Sequence, residues 1–120
     1  MGKRRQTFGQ LLRESRIGKK LSLRKFAELV GVSPTYLSQV EQDNVMPPTA
    51  DRVKRMAELL GEDSDEWIAL AGRVPDDVPE IFRRRPTEMA TLIREASGLT
   101  SDQLRQVTEQ IRRLKAGSGG

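Results

Sequence analysis

The sequence predicts an all-α fold: five short helices in an N-terminal domain, followed by a small C-terminal helical extension. Two observations lead there. Apolar residues recur at three- and four-residue spacing along the chain, with no convincing two-residue alternation. Several stripes are also punctuated, with a capping Ser or Thr before them and Gly after them, as at Ser22 and Gly31 or Thr49 and Gly61. A chain of 120 residues has room for one compact domain, or a small domain with an extension.

Phe8, Leu11 and Leu12 form the first stripe, behind a cap at Thr7. Leu23, Phe26, Ala27 and Val30 follow, capped by Ser22 and ended by Gly31, which accepts the positive φ of a tight turn. Ser33 caps the third helix, with Pro34 at its first position, where a missing N–H costs nothing. Leu37 and Val40 are its inward residues. QDNVMPPTA then reads as a loop: Asp43 and Asn44 tolerate left-handed geometry, and two prolines bar helix until Thr49 caps the next one. Val53, Met56, Ala57 and Leu60 make the fourth stripe, stopped by Gly61. Ser64 opens a fifth helix carrying Trp67, Ile68 and Leu70, which Gly72 closes. These apolar residues read as core, not as the lining of a cofactor pocket.

A composition break follows at RVPDDVPE. The expected organisation is therefore a domain over 1–72, a linker over 73–78, a helical extension over 79–116 and a flexible tail over 117–120. Ile81 and Phe82 suggest a helical turn before RRRP. A helix from Thr87 carries Met89, Leu92, Ile93 and Ala96 and ends at Gly98. Thr100 or Ser101 caps the last helix. Its apolar positions Leu104, Val107, Ile111 and Leu114 follow the a/d spacing of a coiled-coil seam, over two heptads. That seam is a candidate dimer interface.

Several chemistries are disfavoured by composition. With no cysteine there are no disulfides, thiolate nucleophiles or cysteine metal sites. With no histidine, the usual general base and the commonest metal ligand are missing too. No phosphate-cradling glycine loop or metal-ligand constellation is present, so no catalytic residue, metal or cofactor is expected. Asp63, Asp65 and Glu66 cluster at a helix start, where acids are favoured for electrostatic reasons alone. No apolar run approaches a membrane span, and MGKRRQ lacks a signal peptide's apolar stretch. A cytoplasmic protein is expected.

The net charge is +4, and it is unevenly placed. Residues 1–42 hold Lys3, Arg4, Arg5, Arg13, Arg16, Lys19, Lys20, Arg24 and Lys25 against Glu14, Glu28 and Glu41. Residues 58–66 are acidic, with Glu58, Glu62, Asp63, Asp65 and Glu66. That division suits a polyanion bound on one side, although charges on helix surfaces also serve simply as solvated faces.

Two short helices joined by a tight glycine turn match the helix-turn-helix arrangement, in which the second helix enters the DNA major groove. Ala27 is small where the helices cross, and Leu37 and Val40 anchor the reading helix from below. Its outward face then offers Ser33, Pro34, Thr35, Ser38, Gln39 and Gln42, groups that hydrogen-bond base edges without carrying charge into the groove.

LSLRKFAELVGVSPTYLSQVEQDNVMPP resembles the core of the phage repressor/Cro-type (XRE) family over roughly residues 7–71. The likeness lies in the Ala27–Gly31 pair, the SPTYLS segment and Pro47–Pro48. It implies a lambda-repressor-like five-helix domain that binds double-stranded DNA. By position it implies base contacts from Ser33, Pro34, Thr35, Ser38 and Gln39, and phosphate contacts from Asn44 and Thr49. It also implies a structural ion pair between Arg16 and Glu41. The sequence departs from the family at two places. Leu23 stands where many members carry a phosphate-binding glutamine, which would pass the backbone contact to Arg24. Lys20 stands where members often have glycine.

Some residues keep two readings. Ser33 caps its helix whether or not it touches DNA. Tyr36 either reaches a phosphate or covers the junction of the second and third helices. Lys3, Arg4 and Arg5 form either a minor-groove arm or a solubilising tail. The sequence as a whole is expected to encode a DNA-binding transcriptional regulator, a repressor reading a pseudo-palindromic operator as a homodimer. The alternative is an antitoxin or other partner-binding regulator acting through residues 79–116.

Overall fold

The computed structural model describes residues 6–118, and all the regular structure among them is helical. The elements are α1 (Phe8–Gly18), α2 (Leu23–Val30), α3 (Pro34–Glu41), α4 (Ala50–Leu60), α5 (Ser64–Leu70), α6 (Val78–Arg84), α7 (Pro86–Ala96) and α8 (Ser101–Ser118). Lys3, Arg4 and Arg5 lie outside the described residues. The chain forms two compact units, divided between Pro79 and Glu80 within α6.

In the first unit, α1 to α5 surround one core. Leu12, Phe26, Leu37, Val53, Met56 and Leu60 are fully buried in it, together with Trp67. The Phe8 and Trp67 rings meet edge to face at 5.9 Å, the arrangement their quadrupoles favour. Each such large side chain contributes about 1.5–3 kcal/mol by leaving water, which is what holds helices of 7 to 11 residues that could not stand alone.

Most helix starts follow the expected caps. The Thr7 hydroxyl accepts from Gln10 N while the Gln10 side chain returns a bond to Thr7 N. Ser22 and Ser33 accept from Lys25 N and Tyr36 N, and Thr100 and Gln103 form a second reciprocal box before α8. Helix α5 opens at Ser64 as expected, capped by Asp63, whose carboxylate accepts from Glu66 N. Other ends differ from expectation. Thr49 has the extended backbone of a cap, but its hydroxyl makes no capping bond. Helix α7 starts at Pro86, one residue before Thr87, because proline fits the first position. It ends at Ala96, before Gly98, where the Ser97 hydroxyl donates to the Arg94 carbonyl. Helix α8 runs on through Gly117 and Ser118, past the boundary expected at 116. A terminal turn can keep its hydrogen bonds across a glycine.

The second unit contains the rest of α6 with α7 and α8, and neither α6 nor α7 has a buried residue. Its apolar side chains lie open: Ile81, Leu92, Ile93, Leu104 and Ile111 are exposed, and Leu114 is 73% exposed. Val107 is half-buried. No helix among the described residues is long and apolar enough to cross a membrane.

Candidate nucleic-acid interface

The turn between α2 and α3 is closed by Gly31, at φ +87°, where both Gly31 N and Val32 N donate to the Ala27 carbonyl at 2.9 Å. Leu37 and Val40 are sunk into the core, so α3 presents its opposite face outward. Ser33, Pro34 and Thr35 are exposed at its start, and Ser38 and Gln39 are half-buried further along. Tyr36 is half-buried and packs against the core. Arg24 and Thr49 are exposed.

Helix α3 is mounted on α1 at two points. Arg16 and Glu41, both buried, form a bidentate pair, and Arg16 Nη1 also donates to the Leu21 carbonyl at 2.8 Å. At the other end, Gly9 lies against the last turn of α3. A Cβ there would sit 2.4 Å from the Val40 carbonyl oxygen and 2.7 Å from that of Glu41, so no side chain fits.

Two helices of the unit end in left-handed residues that are not glycine. After α1, Lys20 stands at φ +58°, with Lys20 N donating to the Ile17 carbonyl and Leu21 N to that of Arg16. This is the Schellman closure, whose left-handed position glycine fits best. After α3, Asp43 stands at φ +60°, with Asp43 N donating to the Val40 carbonyl and Asn44 N to that of Gln39. Here the side chain offsets the strain. The Asp43 carboxylate accepts from the Thr7 hydroxyl at 2.6 Å and from Gly9 N at 3.1 Å, tying the turn to the start of α1.

That turn carries Asn44 back toward the reading helix. Asn44 Nδ2 donates to Gln39 Oε1 at 2.8 Å and, more weakly, to Gln42 Oε1 at 3.4 Å. Gln42 Nε2 in turn donates to the Ser38 hydroxyl at 2.8 Å. The sequence gives no sign of this chain of bonds, because it depends on a reversal at Asp43 that residue type alone does not specify. A second unexpected contact is made by Arg73, at the start of the expected linker. Its guanidinium donates to the carbonyls of Pro47 and Pro48 at 2.6 and 3.0 Å, fixing the α3–α4 loop.

Electrostatics separate the first three helices from the next two. Helices α1, α2 and α3 have no acid in their first turns, whereas α4 and α5 have Asp51 and Asp65 with Glu66 there. The first turn of α2 instead holds Arg24 and Lys25. Cations at the positive end of a helix oppose its dipole; Lys25 is offset by Glu28 at 3.5 Å, whereas Arg24 makes no ion pair among the described residues. Leu23 is half-buried against the core, so this position offers no polar group to a phosphate. Among the described residues, no group of three or more acidic side chains is placed to hold a metal ion.

The sequence profile of the Helix-turn-helix domain family matches residues 9–73. The chain is 30% identical over 76 residues to the HTH-type transcriptional regulator RghRB of Bacillus subtilis (strain 168). That match covers 61% of this chain and 55% of the relative, so the chain spans about half the relative's length. Among solved structures, SinR, the master regulator for biofilm formation, in complex with DNA is similar with a TM-score of 0.48 at 26% identity, over 52% of this chain and 98% of that one. The SinR–SinI complex gives 0.48 at 22% identity, over 92% and 99%. The clp gene regulator ClgR from Corynebacterium glutamicum gives 0.47 at 22%, over 74% and 88%. The chain belongs to the helix-turn-helix domain family, of phage repressor/Cro (XRE) type.

Proposed function

We propose that this chain is a sequence-specific transcriptional repressor that reads a pseudo-palindromic operator as a homodimer, with α3 in the major groove. The observation that carries this reading is the division of α3. Leu37 and Val40 are buried, while the polar face from Ser33 to Gln39 is turned outward beside the acid-free, basic start of α2.

In this reading Ser33, Pro34, Thr35, Ser38 and Gln39 meet base edges, and Arg24, Tyr36 and Thr49 meet phosphates; the resemblance implies a phosphate contact for Asn44 as well, whose side chain is here bonded to Gln39. The acid-free N-termini of α2 and α3 add backbone N–H groups that suit phosphate oxygens. One short helix reads few base pairs, so two copies on half-sites about 34 Å apart supply the affinity. Residues 79–116 hold the dimer through Leu104, Val107, Ile111 and Leu114. The open apolar side chains of α7 and α8 favour such a role, and they also support a second reading in which a different protein covers them.

The test is selection from random duplexes by the purified protein, repeated with Gln39→Ala. An inverted repeat whose preference changes at one symmetric position in the variant is the expected result. No enrichment at moderate salt would overturn the DNA-reading function and leave the partner-binding role.

A further inference from the structure

We propose that Asn44 is a specificity-determining residue that acts by holding the Gln39 side chain in its reading position. This rests on α3 being the reading helix, and it replaces a phosphate contact as the main work of Asn44.

The geometry is built in steps. Asp43 adopts a left-handed backbone and is held there by Thr7 and Gly9, so the chain reverses at a fixed angle. The reversal brings Asn44 N onto the Gln39 carbonyl at 2.9 Å, and the Asn44 side chain onto Gln39 Oε1 at 2.8 Å. Gln39 is thus gripped by one neighbour through both its backbone and its side chain. Gln42 extends the chain of bonds from Asn44 to Ser38, so two of the proposed base contacts belong to one network.

A free glutamine loses much rotamer freedom when it settles on a base edge. A glutamine already held loses less, and preorganisation of this kind sharpens discrimination as well as affinity. Asn44 is itself exposed and lies outside the core, so its truncation leaves the fold intact. A phosphate contact and a positioning role then make opposite predictions. Removing a phosphate contact weakens binding to every sequence alike, whereas loosening Gln39 blurs one base pair.

The experiment measures binding of the full chain to the selected duplex and to duplexes changed at each symmetric position. Wild type, Asn44→Ala, Gln39→Ala and the double variant are compared. Asn44→Ala is expected to cut discrimination at the Gln39 base pair by about fivefold or more, within the range a single base-reading side chain commands. In the Gln39→Ala background the same change should have no further effect at that pair. In the free protein, 15N relaxation should show the Gln39 side-chain amide becoming more mobile in Asn44→Ala. An equal loss on all duplexes with discrimination unchanged, or strict additivity in the double variant, would overturn the positioning role while leaving the DNA-reading function standing. Failure of the wild type to prefer any duplex would overturn that function itself, and this inference with it.

Discussion

Arg16 on α1 and Glu41 at the end of α3 form a two-pronged ion pair, Nε to Oε2 at 2.6 Å and Nη2 to Oε1 at 2.9 Å, with both side chains nearly shut off from solvent. The helix proposed to read DNA is thereby held to the helix beneath it. Removing either partner leaves the other as a buried, unmatched charge. Arg16→Ala and Glu41→Ala should each lower stability by about 3–5 kcal/mol in urea unfolding. Arg16→Met combined with Glu41→Leu should recover much of that loss, short of the bond to the Leu21 carbonyl. Single losses under about 1 kcal/mol would mean that solvent reaches the pair.

Gly9 and Gly18 both belong to α1 and should respond to alanine with opposite signs. At Gly9 a Cβ meets backbone oxygens at 2.4 and 2.7 Å, so α1 and α3 must part, at a cost of about 1–3 kcal/mol or more. At Gly18 a Cβ meets nothing within 4 Å, and alanine should stabilise by about 0.5–1 kcal/mol. Thermal unfolding of the two variants side by side checks both, and equal shifts would contradict the packing described.

Lys20 holds a left-handed backbone without the side-chain bonds that Asp43 makes in the same conformation. Lys20→Gly should therefore raise stability by about 0.5–1 kcal/mol, the strain relieved less the entropy glycine adds to the unfolded chain. A midpoint of denaturation that falls in the glycine variant would show that the lysine side chain contributes something to the fold.

Arg24 should separate stability from binding. Replacing it with Glu puts an acid in the first turn of α2, which favours the helix by about 0.3–1 kcal/mol. The same change should weaken binding to all duplexes and flatten the dependence of log K on log salt. A variant both more stable and unchanged in its salt slope would remove Arg24 from the phosphate contacts.

Ile111→Asp places a charge in the middle of the proposed seam on α8, where Ile111 is 40% exposed in the single chain. Sedimentation should show the homodimer lost in this variant. An unaltered sedimentation coefficient would rule this seam out as the interface.

The helices of the first unit were legible because their punctuation is local. Ser22 before Leu23 and Gly31 after Val30 mark two ends through groups that act within one turn. The core was legible for a related reason, since Val53, Met56, Ala57 and Leu60 fall on one side of any helix that contains them. The Schellman turn at Lys20 is less so, because a left-handed lysine has no signature in sequence. Asp43 adopts the left-handed geometry its residue type tolerates, but the bond from Thr7 that secures it comes from 36 residues away and leaves no local mark. The contact of Arg73 leaves no mark in the sequence because its acceptors are backbone carbonyls, which every residue possesses. The bond from Asn44 to Gln39 is not legible either, because a polar loop residue gives no hint that it folds back onto its own helix.

Helices α7 and α8 have shape without an interior. Helices of this kind, with no fully buried side chain among the described residues, are marginal in water, so the order of this region is tied to what covers it. For the homodimer proposed above, covering and ordering are one bimolecular event, and its yield depends on how many copies are present. While single chains predominate, halving their number removes about three quarters of the paired form. The extension would then act as a counter of molecules, converting a modest change in abundance into a sharp change at the operator.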